Sequence, residues 1–316
     1  MTDHNCWQAP HPSRLVHTFS IVARDPQSGE MGVAVQSHWF SVGSVVTWAE
    51  AGVGAVATQA FAEISYGPLG LALMRAGKSA PAALTALLAA DEGRELRQVA
   101  MVDTQGRVAV HTGARCIADA GHEAGEGFSV QANMMANPDV WPAMARAYRE
   151  AQGDLAARML AALEAGQAAG GDVRGKQSAA ILIVKPISTG RSWADTVMEL
   201  RVEDHAEPIR ELGRLVNVQR AYQRMNRGDE LLGARQVEEA LQEYRAAAGM
   251  APEIEELPFW QAVTLADLGR VDEALPIFRD VFARNANWAT LVSRLPKAGL
   301  LRDDPDIMSR ILALKP

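Results

Sequence analysis

Runs of strand-forming residues dominate the first two hundred positions of the chain. TFSIVARD and GEMGVAVQSH flank the turn sequence PQSG, which predicts a β-hairpin. SVVTWAEAG and VGAVATQAF, hinged at Gly52 and Gly54, predict a second strand pair. RQVAMVDTQGRVAVHTG predicts another hairpin, and single strands are predicted at GFSVQANMM, SAAILIVKP and TVMELRVED.

Helical spacing of apolar residues interrupts these strands twice. GPLGLALMRAG and SAPAALTALLAAD form the first predicted helix pair, with Ser79 as N-cap and Pro81 in the first turn. PDVWPAMARAYREAQG and LAARMLAALEAGQAAGG form the second pair. The resulting order of elements predicts a layered α+β fold, with hairpin-built sheets covered by helices. It disfavours a parallel doubly wound sheet, in which single strands and helices alternate.

The pattern from about residue 206 onward is helical and contains an internal repeat. VEEALQEYR, starting at Val237, aligns with VDEALPIFR, starting at Val271, at an offset of 34 residues. An alanine followed four residues later by an aromatic resembles the tetratricopeptide repeat. The chain is therefore expected to have a flexible tail at residues 1–15, an α+β domain at 16–205 and a tetratricopeptide-like domain at 206–316.

Charge and cysteine content narrow the classes of partner and compartment. The net charge is −7 and no cluster of Lys and Arg stands out, which argues against nucleic acid or an anionic membrane as partner. Cys6 and Cys116 have no disulfide or metal spacing, and no apolar run resembles a signal peptide or a membrane span. These observations predict a cytoplasmic protein.

Several familiar catalytic motifs are missing from the sequence. It has no GxGxxG, P-loop, HExxH or GxSxG pattern, and its seven histidines never pair at i, i+4. We therefore expect neither a cofactor nor a metal.

Polar residues at the ends of predicted strands are the main signal for a site. Burying a polar side chain is costly without a hydrogen bond, so several in one domain suggest a shared purpose. Taken singly, each could merely tie down a strand end. The set comprises Thr18, Ser20, Gln36, Ser37, His38, Thr58, Gln59, Gln131, Asn133, Gln177 and Ser178.

Six sequence blocks carry a resemblance to a known family. They are HTFSIVARDP, GVAVQSH, GVGAVATQA, YGPLGL, SVQANMM and GGDVRGKQSAAILIV, in this order. Together they resemble the domain of unknown function 1028 family, and the helical tail resembles an extension found on some members. The resemblance implies an N-terminal-nucleophile hydrolase fold, with two antiparallel sheets between two helix layers.

The resemblance also implies roles for individual residues. Thr18 matches the nucleophile that heads the first strand, where its own α-amine acts as the general base. Backbone amides around Gln59 and Ala60 match an oxyanion hole, and Gln177 and Ser178 resemble the pair that steadies the amine. In GGDVRG, Asp172 and Arg174 are expected to pair at the rim.

Three departures from the fold's pattern keep other hypotheses open. Seventeen residues precede Thr18, so its amine is free only after cleavage between His17 and Thr18. Gln36 stands where proteasome-like members have Asp, and SVVTWAEAG has no lysine where those members rely on one.

The first hypothesis is an amidohydrolase that acts on a small C–N bond with Thr18 as nucleophile. A variant uses an internal hydroxyl, Ser20 or Ser37, with His38 as base. The alternative is an inactive hydrolase-fold protein that binds a small polar ligand, with Arg24 and Arg174 holding a carboxylate. A third interpretation is an interaction scaffold, and the short repeat also predicts a homodimer.

Overall fold

The computed structural model describes residues 14–315, which divide into two compact units with the boundary after Arg214. Of the predicted tail, residues 1–13 lie outside the described residues, whereas Arg14 begins the first strand.

The first unit contains eleven strands within its described residues. They are β1 (Arg14–Val16), β2 (Thr18–Arg24), β3 (Met31–Ser37), β4 (Thr47–Glu50), β5 (Gly54–Ala62), β6 (Arg97–Asp103), β7 (Val108–Thr112), β8 (Gly121–Gly125), β9 (Phe128–Ala132), β10 (Ser178–Val184) and β11 (Thr196–Val202).

These strands form two antiparallel sheets. The first sheet has the order β1-β5-β6-β7, with β4 also paired to β5. The second has the order β11-β10-β3-β2-β9-β8. The predicted β2–β3, β4–β5 and β6–β7 hairpins are confirmed, and Gly106 turns the last of them with φ 72°.

Six helices belong to the same part of the chain. They are α1 (Gly43–Val46), α2 (Tyr66–Arg75), α3 (Ala80–Ala90), α4 (Val140–Glu150), α5 (Leu155–Ala168) and α6 (Ser192–Asp195). The Ser79 side chain caps α3, as predicted, by accepting from the Ala82 amide.

Helices cover the outer face of each sheet, which gives four layers. On the first sheet, Val56 and Met101 pack with Leu71 of α2 and Leu84 of α3. On the second sheet, α5 packs against α4 and over Phe19 of β2, where a Cβ built at Gly166 would lie 2.8 Å from Met144 Cγ and 3.2 Å from the Phe19 ring. The predicted α+β layering is therefore confirmed.

Valine and alanine fill the space between the two sheets. Val22, Val33 and Val35 of the second sheet pack against Ala55 and Ala57 of the first. All five side chains are fully buried. Alternation along each strand then decides which other residues face this space.

Two elements differ from the sequence prediction. The predicted strand SVVTWAEAG begins instead as the short helix α1, and only its second half forms β4. β8 was not predicted, because its sequence GHEAG lacks strand-forming residues; pairing with β9 holds it in the sheet.

The C-terminal region is helical, as predicted. Its helices are α7 (Pro208–Gly233), α8 (Val237–Met250), α9 (Glu256–Asp267), α10 (Val271–Arg284), α11 (Asn287–Val292), α12 (Leu295–Ala298) and α13 (Pro305–Leu312). The repeated motif opens α8 and α10, where Ala240, Tyr244, Ala274 and Phe278 are all buried. No helix within residues 14–315 is both long and apolar enough to cross a membrane.

The packing of α2 on β4 yields a stability prediction. A Cβ at Gly67 would lie under 3.0 Å from the Trp48 ring, so Gly67→Ala should lower the free energy of unfolding by about 1–3 kcal/mol. Gly213 of α7 has open space around it, so Gly213→Ala should instead stabilise by about 0.5–1 kcal/mol. Urea unfolding measures the free energy of unfolding of both variants. Equal changes in the two variants would contradict the packing of α2 on β4.

Candidate functional site

The inner faces of the strands change from apolar to polar toward one end of the inter-sheet space. On β2, Val22 is followed toward the strand start by Ser20 and Thr18, and on β5, Ala57 is followed by Gln59. Other strands repeat the change. They contribute Ser37, Gln98, Thr112, Ser129 and Gln131, with Asn133 just beyond the end of β9.

Gln59 lies at the centre of this polar cluster and links the two sheets. Its Nε2 donates to Gln98 Oε1 at 2.7 Å, to the Thr18 carbonyl at 3.2 Å and to the Gln131 carbonyl at 3.3 Å. Its Oε1 accepts from Ser20 Oγ at 2.6 Å. Both ends of the buried amide are therefore satisfied, which fixes its orientation.

The Ser20 hydroxyl bridges two side-chain amides by hydrogen bonds, and no base accepts its proton. Its hydroxyl donates to Gln59 and accepts from Gln131 Nε2 at 2.6 Å. Gln131 Oε1 in turn accepts from Ser129 Oγ at 3.0 Å. The single hydroxyl proton of Ser20 therefore points to an amide oxygen, which is a poor base.

Gln98 and Asn133 extend the cluster. Asn133 Nδ2 donates to Gln98 Oε1 at 2.9 Å, and Gln98 Nε2 donates to Thr112 Oγ1 and to the Ala132 carbonyl, both at 2.9 Å. Both side chains are completely buried. This part of the site is thus a dry environment built from neutral groups.

The His17 ring packs into the cluster beside Thr18. Its Nδ1 lies 2.9 Å from Asn133 Oδ1 and its ring meets Phe61 edge-to-face at 5.9 Å. Burial, and secondarily the Arg174 charge, lowers the pKa of His17 below its ordinary value of 6.5. The imidazole is therefore neutral at pH 7 and donates Nδ1–H to the Asn133 oxygen.

The backbone carbonyl of His17 is held by two donors. Ser37 Oγ donates to it at 2.5 Å and Arg174 Nη2 at 2.9 Å. Asp172, which is 3% exposed, accepts from Arg174 Nε at 3.0 Å and Nη2 at 2.7 Å and so fixes the guanidinium. The peptide carbonyl directly before Thr18 therefore lies between a hydroxyl and an anchored positive charge.

Thr18 is fully buried, with its hydroxyl turned back toward the preceding chain. Its Oγ1 donates to the Val16 carbonyl at 3.1 Å. Its own carbonyl accepts from Gln59 Nε2 and, at 3.4 Å, from Asn133 Nδ2. The carbonyls of His17 and Thr18 are thus both held by side-chain donors from other parts of the first unit.

Strained backbone accompanies the site. Ala60, Met134 and Ser41 have positive φ angles of 70°, 58° and 57°, which cost a residue with a Cβ about 1–2 kcal/mol. Ala60 follows Gln59, and Met134 follows Asn133. Such strain persists only where the surroundings enforce it, and it concentrates at functional sites.

A metal centre has no support in this part of the chain. Among residues 14–315, no group of three or more His, Cys, Asp or Glu side chains is arranged to hold an ion.

Comparison with known proteins identifies the family of the chain. The model of the family of unknown function DUF1028 matches residues 18–212. The chain belongs to this family. A crystal structure of protein SPO2555 from Silicibacter pomeroyi, also of DUF1028, shares 30% identity with a TM-score of 0.58, covering 63% of this chain and 84% of that one. No curated protein matches.

Several of the residues predicted from the sequence meet within this DUF1028 domain. A continuous set of hydrogen bonds, running through His17, Ser37 and Gln98, joins Thr18, Ser20, Gln59, Gln131, Asn133, Asp172 and Arg174.

Three predicted residues lie elsewhere. Gln36 and Thr58 alternate with inward-facing neighbours and point to the outer faces of their sheets, where Thr58 donates to the Glu63 carbonyl. Arg24 ends β2, six residues and about 20 Å from Thr18, so it cannot share a ligand with Arg174.

The remaining three predicted residues border the cluster. Ser178 donates to the Trp39 carbonyl, and Gln177 Nε2 donates to Asp204. His38 contributes its backbone N–H to Asp172 at 3.3 Å. Neither candidate hydroxyl donates to the His38 ring, because Ser20 donates to Gln59 and Ser37 to the His17 carbonyl.

Sequence reasoning missed His17 and Gln98, and it considered Ser37 as a polar strand-end residue and as an alternative nucleophile. Gln98 was detectable, because it continues the inward-facing series of Ala100 and Val102 on β6. His17 gave no local signal, since its partners Asn133 and Arg174 lie more than a hundred residues away.

The contrast between Gln59 and Gln36 yields a matched prediction. Gln59→Met should lower the free energy of unfolding by about 2–4 kcal/mol, because buried partners of its amide lose their hydrogen bonds. Gln36 is fully buried with no partner for either amide atom, so Gln36→Met should be neutral or stabilising by about 1–2 kcal/mol. Urea unfolding measures both, and a costly Gln36→Met would contradict the assignment.

Proposed function

We propose that this protein is an amidohydrolase whose nucleophile is Thr18, released as a new N-terminus by cleavage of the His17–Thr18 bond. The observation that carries the proposal is the pair of donors, Ser37 and Arg174, on the His17 carbonyl oxygen. That oxygen becomes negative when a nucleophile attacks the carbonyl, and preorganised donors stabilise such an oxyanion strongly.

The proposed cleavage step uses the Thr18 hydroxyl and these two donors. Thr18 Oγ1 attacks the His17 carbonyl carbon, the C–N bond breaks, and the hydroxyl proton passes to the departing Thr18 nitrogen. The product is an ester with a free amine, which water hydrolyses to a His17 carboxylate and the Thr18 hydroxyl. Ser37 and Arg174 bind the oxyanion in both stages.

The same groups would then act on a substrate. The free α-amine of Thr18 accepts the hydroxyl proton, Oγ1 attacks the substrate carbonyl, and the leaving amine takes the proton. Water completes the cycle by hydrolysing the ester. Because the acyl oxygen of His17 lies between Ser37 and Arg174, a substrate acyl oxygen fits the same position.

Three further facts support removal of the residues before Thr18. Residues 14–17 are here called the leading segment, and its last two residues, Val16 and His17, are buried beside Thr18 with 0% and 2% exposure. The Arg174 side chain is 29% exposed, so the cluster adjoins the surface once that segment leaves. The family match also begins at Thr18, which leaves the leading segment outside it.

A second candidate function is binding of a small polar ligand without chemistry. It is favoured by the orientation of the Thr18 hydroxyl, which donates to the Val16 carbonyl and has no side-chain base. In this case the chain keeps residues 1–17.

Variants at Thr18 separate the two functions. The wild type and Thr18→Ser should both lose residues 1–17, whereas Thr18→Ala should stay full-length, because only a hydroxyl can attack. Ser37→Ala should slow the cleavage about 100-fold through loss of one oxyanion donor. Intact mass over time provides the measurement, with the exposed Thr196→Ala as control.

Two results would overturn the mechanism. Equal cleavage of Thr18→Ala and the wild type would assign the cut to another protease. Folded protein that stays full-length in every variant would favour the ligand-binding function.

A further inference from the structure

The leading segment lies on β5 as an extended peptide lies on a sheet edge. β1 pairs antiparallel with β5 through Arg14–Ala62, Leu15–Phe61 and Val16–Ala60, and it is the edge strand of the first sheet. Extended peptides bind proteins in this way by adding a strand. When the segment leaves, residues 60–62 of β5 become an unpaired edge beside Thr18.

The His17 side chain occupies a pocket suited to a flat ring with an N–H donor. Asn133 Oδ1 accepts from the ring, and Phe61 packs edge-to-face against it at an interplanar angle of 83°. The side chain is 2% exposed, so the pocket encloses it. Apart from the Arg174 guanidinium, which binds the backbone, the groups that hold His17 are neutral.

The leading segment therefore satisfies three separate features of the site. The β5 edge binds its backbone, the pocket at Asn133 and Phe61 binds its last side chain, and Ser37 and Arg174 bind its last carbonyl. All three belong to the acyl side of the bond before Thr18.

Building on the proposed function, we propose that the substrates of the processed protein are short extended peptides with histidine directly before the scissile bond. The peptide C–N bond after this histidine breaks, its acyl group passes to Thr18 Oγ1, and its amine leaves with the hydroxyl proton. Water then releases the peptide carboxylate.

A small acyl group fits these features less well. It would make neither the backbone hydrogen bonds of residues 60–62 nor the bond to Asn133 Oδ1, so it gains less binding free energy than a peptide that makes both. A peptide ending in Leu-Val-His supplies every missing partner.

The test uses processed protein in which sequencing has confirmed Thr18 as the N-terminus. Its probes are aminocoumarin amides of acetyl-Leu-Val-His, acetyl-Leu-Val-Ala and acetyl-His, with acetyl-aminocoumarin as a non-peptide amide. We expect kcat/KM for acetyl-Leu-Val-His to exceed that of each other probe by about 10-fold or more, since one buried hydrogen bond is worth about that factor.

Binding gives a second readout that does not depend on turnover. The product acetyl-Leu-Val-His carboxylate should bind the processed protein at least about 10-fold more tightly than acetyl-Leu-Val-Ala in calorimetry. Asn133→Leu should abolish this preference, and Asn133→Asp, which keeps the acceptor oxygen, should retain it. Phe61→Leu should weaken the preference even if Asn133→Leu fails to fold.

The outcomes distinguish the proposed peptide specificity from the proposed hydrolase activity. Turnover of acetyl-aminocoumarin without preference for the histidine peptide overturns the inference and leaves the hydrolase standing. Selective binding of acetyl-Leu-Val-His without any turnover supports the peptide site and overturns the hydrolase. Processed protein that neither binds nor cleaves any probe overturns both, as does a chain that keeps residues 1–17.

Discussion

The architecture of the site depends on the cost of burying amides and hydroxyls between two sheets. Enclosing a polar group in this way costs free energy unless its hydrogen bonds are made inside the protein. Gln59 meets this requirement by bonding to Ser20, Gln98 and two carbonyls of the opposite sheet. The valine and alanine core holds the sheets together, and these directed bonds determine how their polar ends are aligned.

This alignment gives the His17–Thr18 peptide its unusual surroundings. The neighbouring amides are buried and neutral, and the guanidinium of Arg174, fixed by Asp172, is the charged donor to the His17 carbonyl. The positive φ of Ala60 and Met134 shows that the adjoining backbone is held away from its preferred conformation.

The sequence predicted the layers well because they follow from local patterns. Strand-forming runs, the Ser79 cap and the two helix pairs all have local causes, whereas β1, β8 and the start of SVVTWAEAG departed from expectation. The site was predicted less completely. Side chains alternate between the two faces of a strand, which puts Gln98 on the inter-sheet face and Gln36 and Thr58 on the outer faces. The sequence prediction considered only closeness to a strand end and did not ask which face each side chain occupies.

Other parts of the site could not be predicted from local patterns. β1 is three residues long and is held by pairing with β5, so nothing nearby in sequence marks it as a strand. Likewise, the contacts of the His17 carbonyl with Ser37 and Arg174 depend on how β3 and the loop before β10 meet. Such contacts are products of tertiary packing.

The most direct test of the central claim is the intact mass and N-terminal sequence of the purified wild-type chain. A mass short by residues 1–17, with threonine as the first residue, is the result that the account predicts. A full-length mass in correctly folded protein would contradict it and leave Thr18 as a buried strand residue.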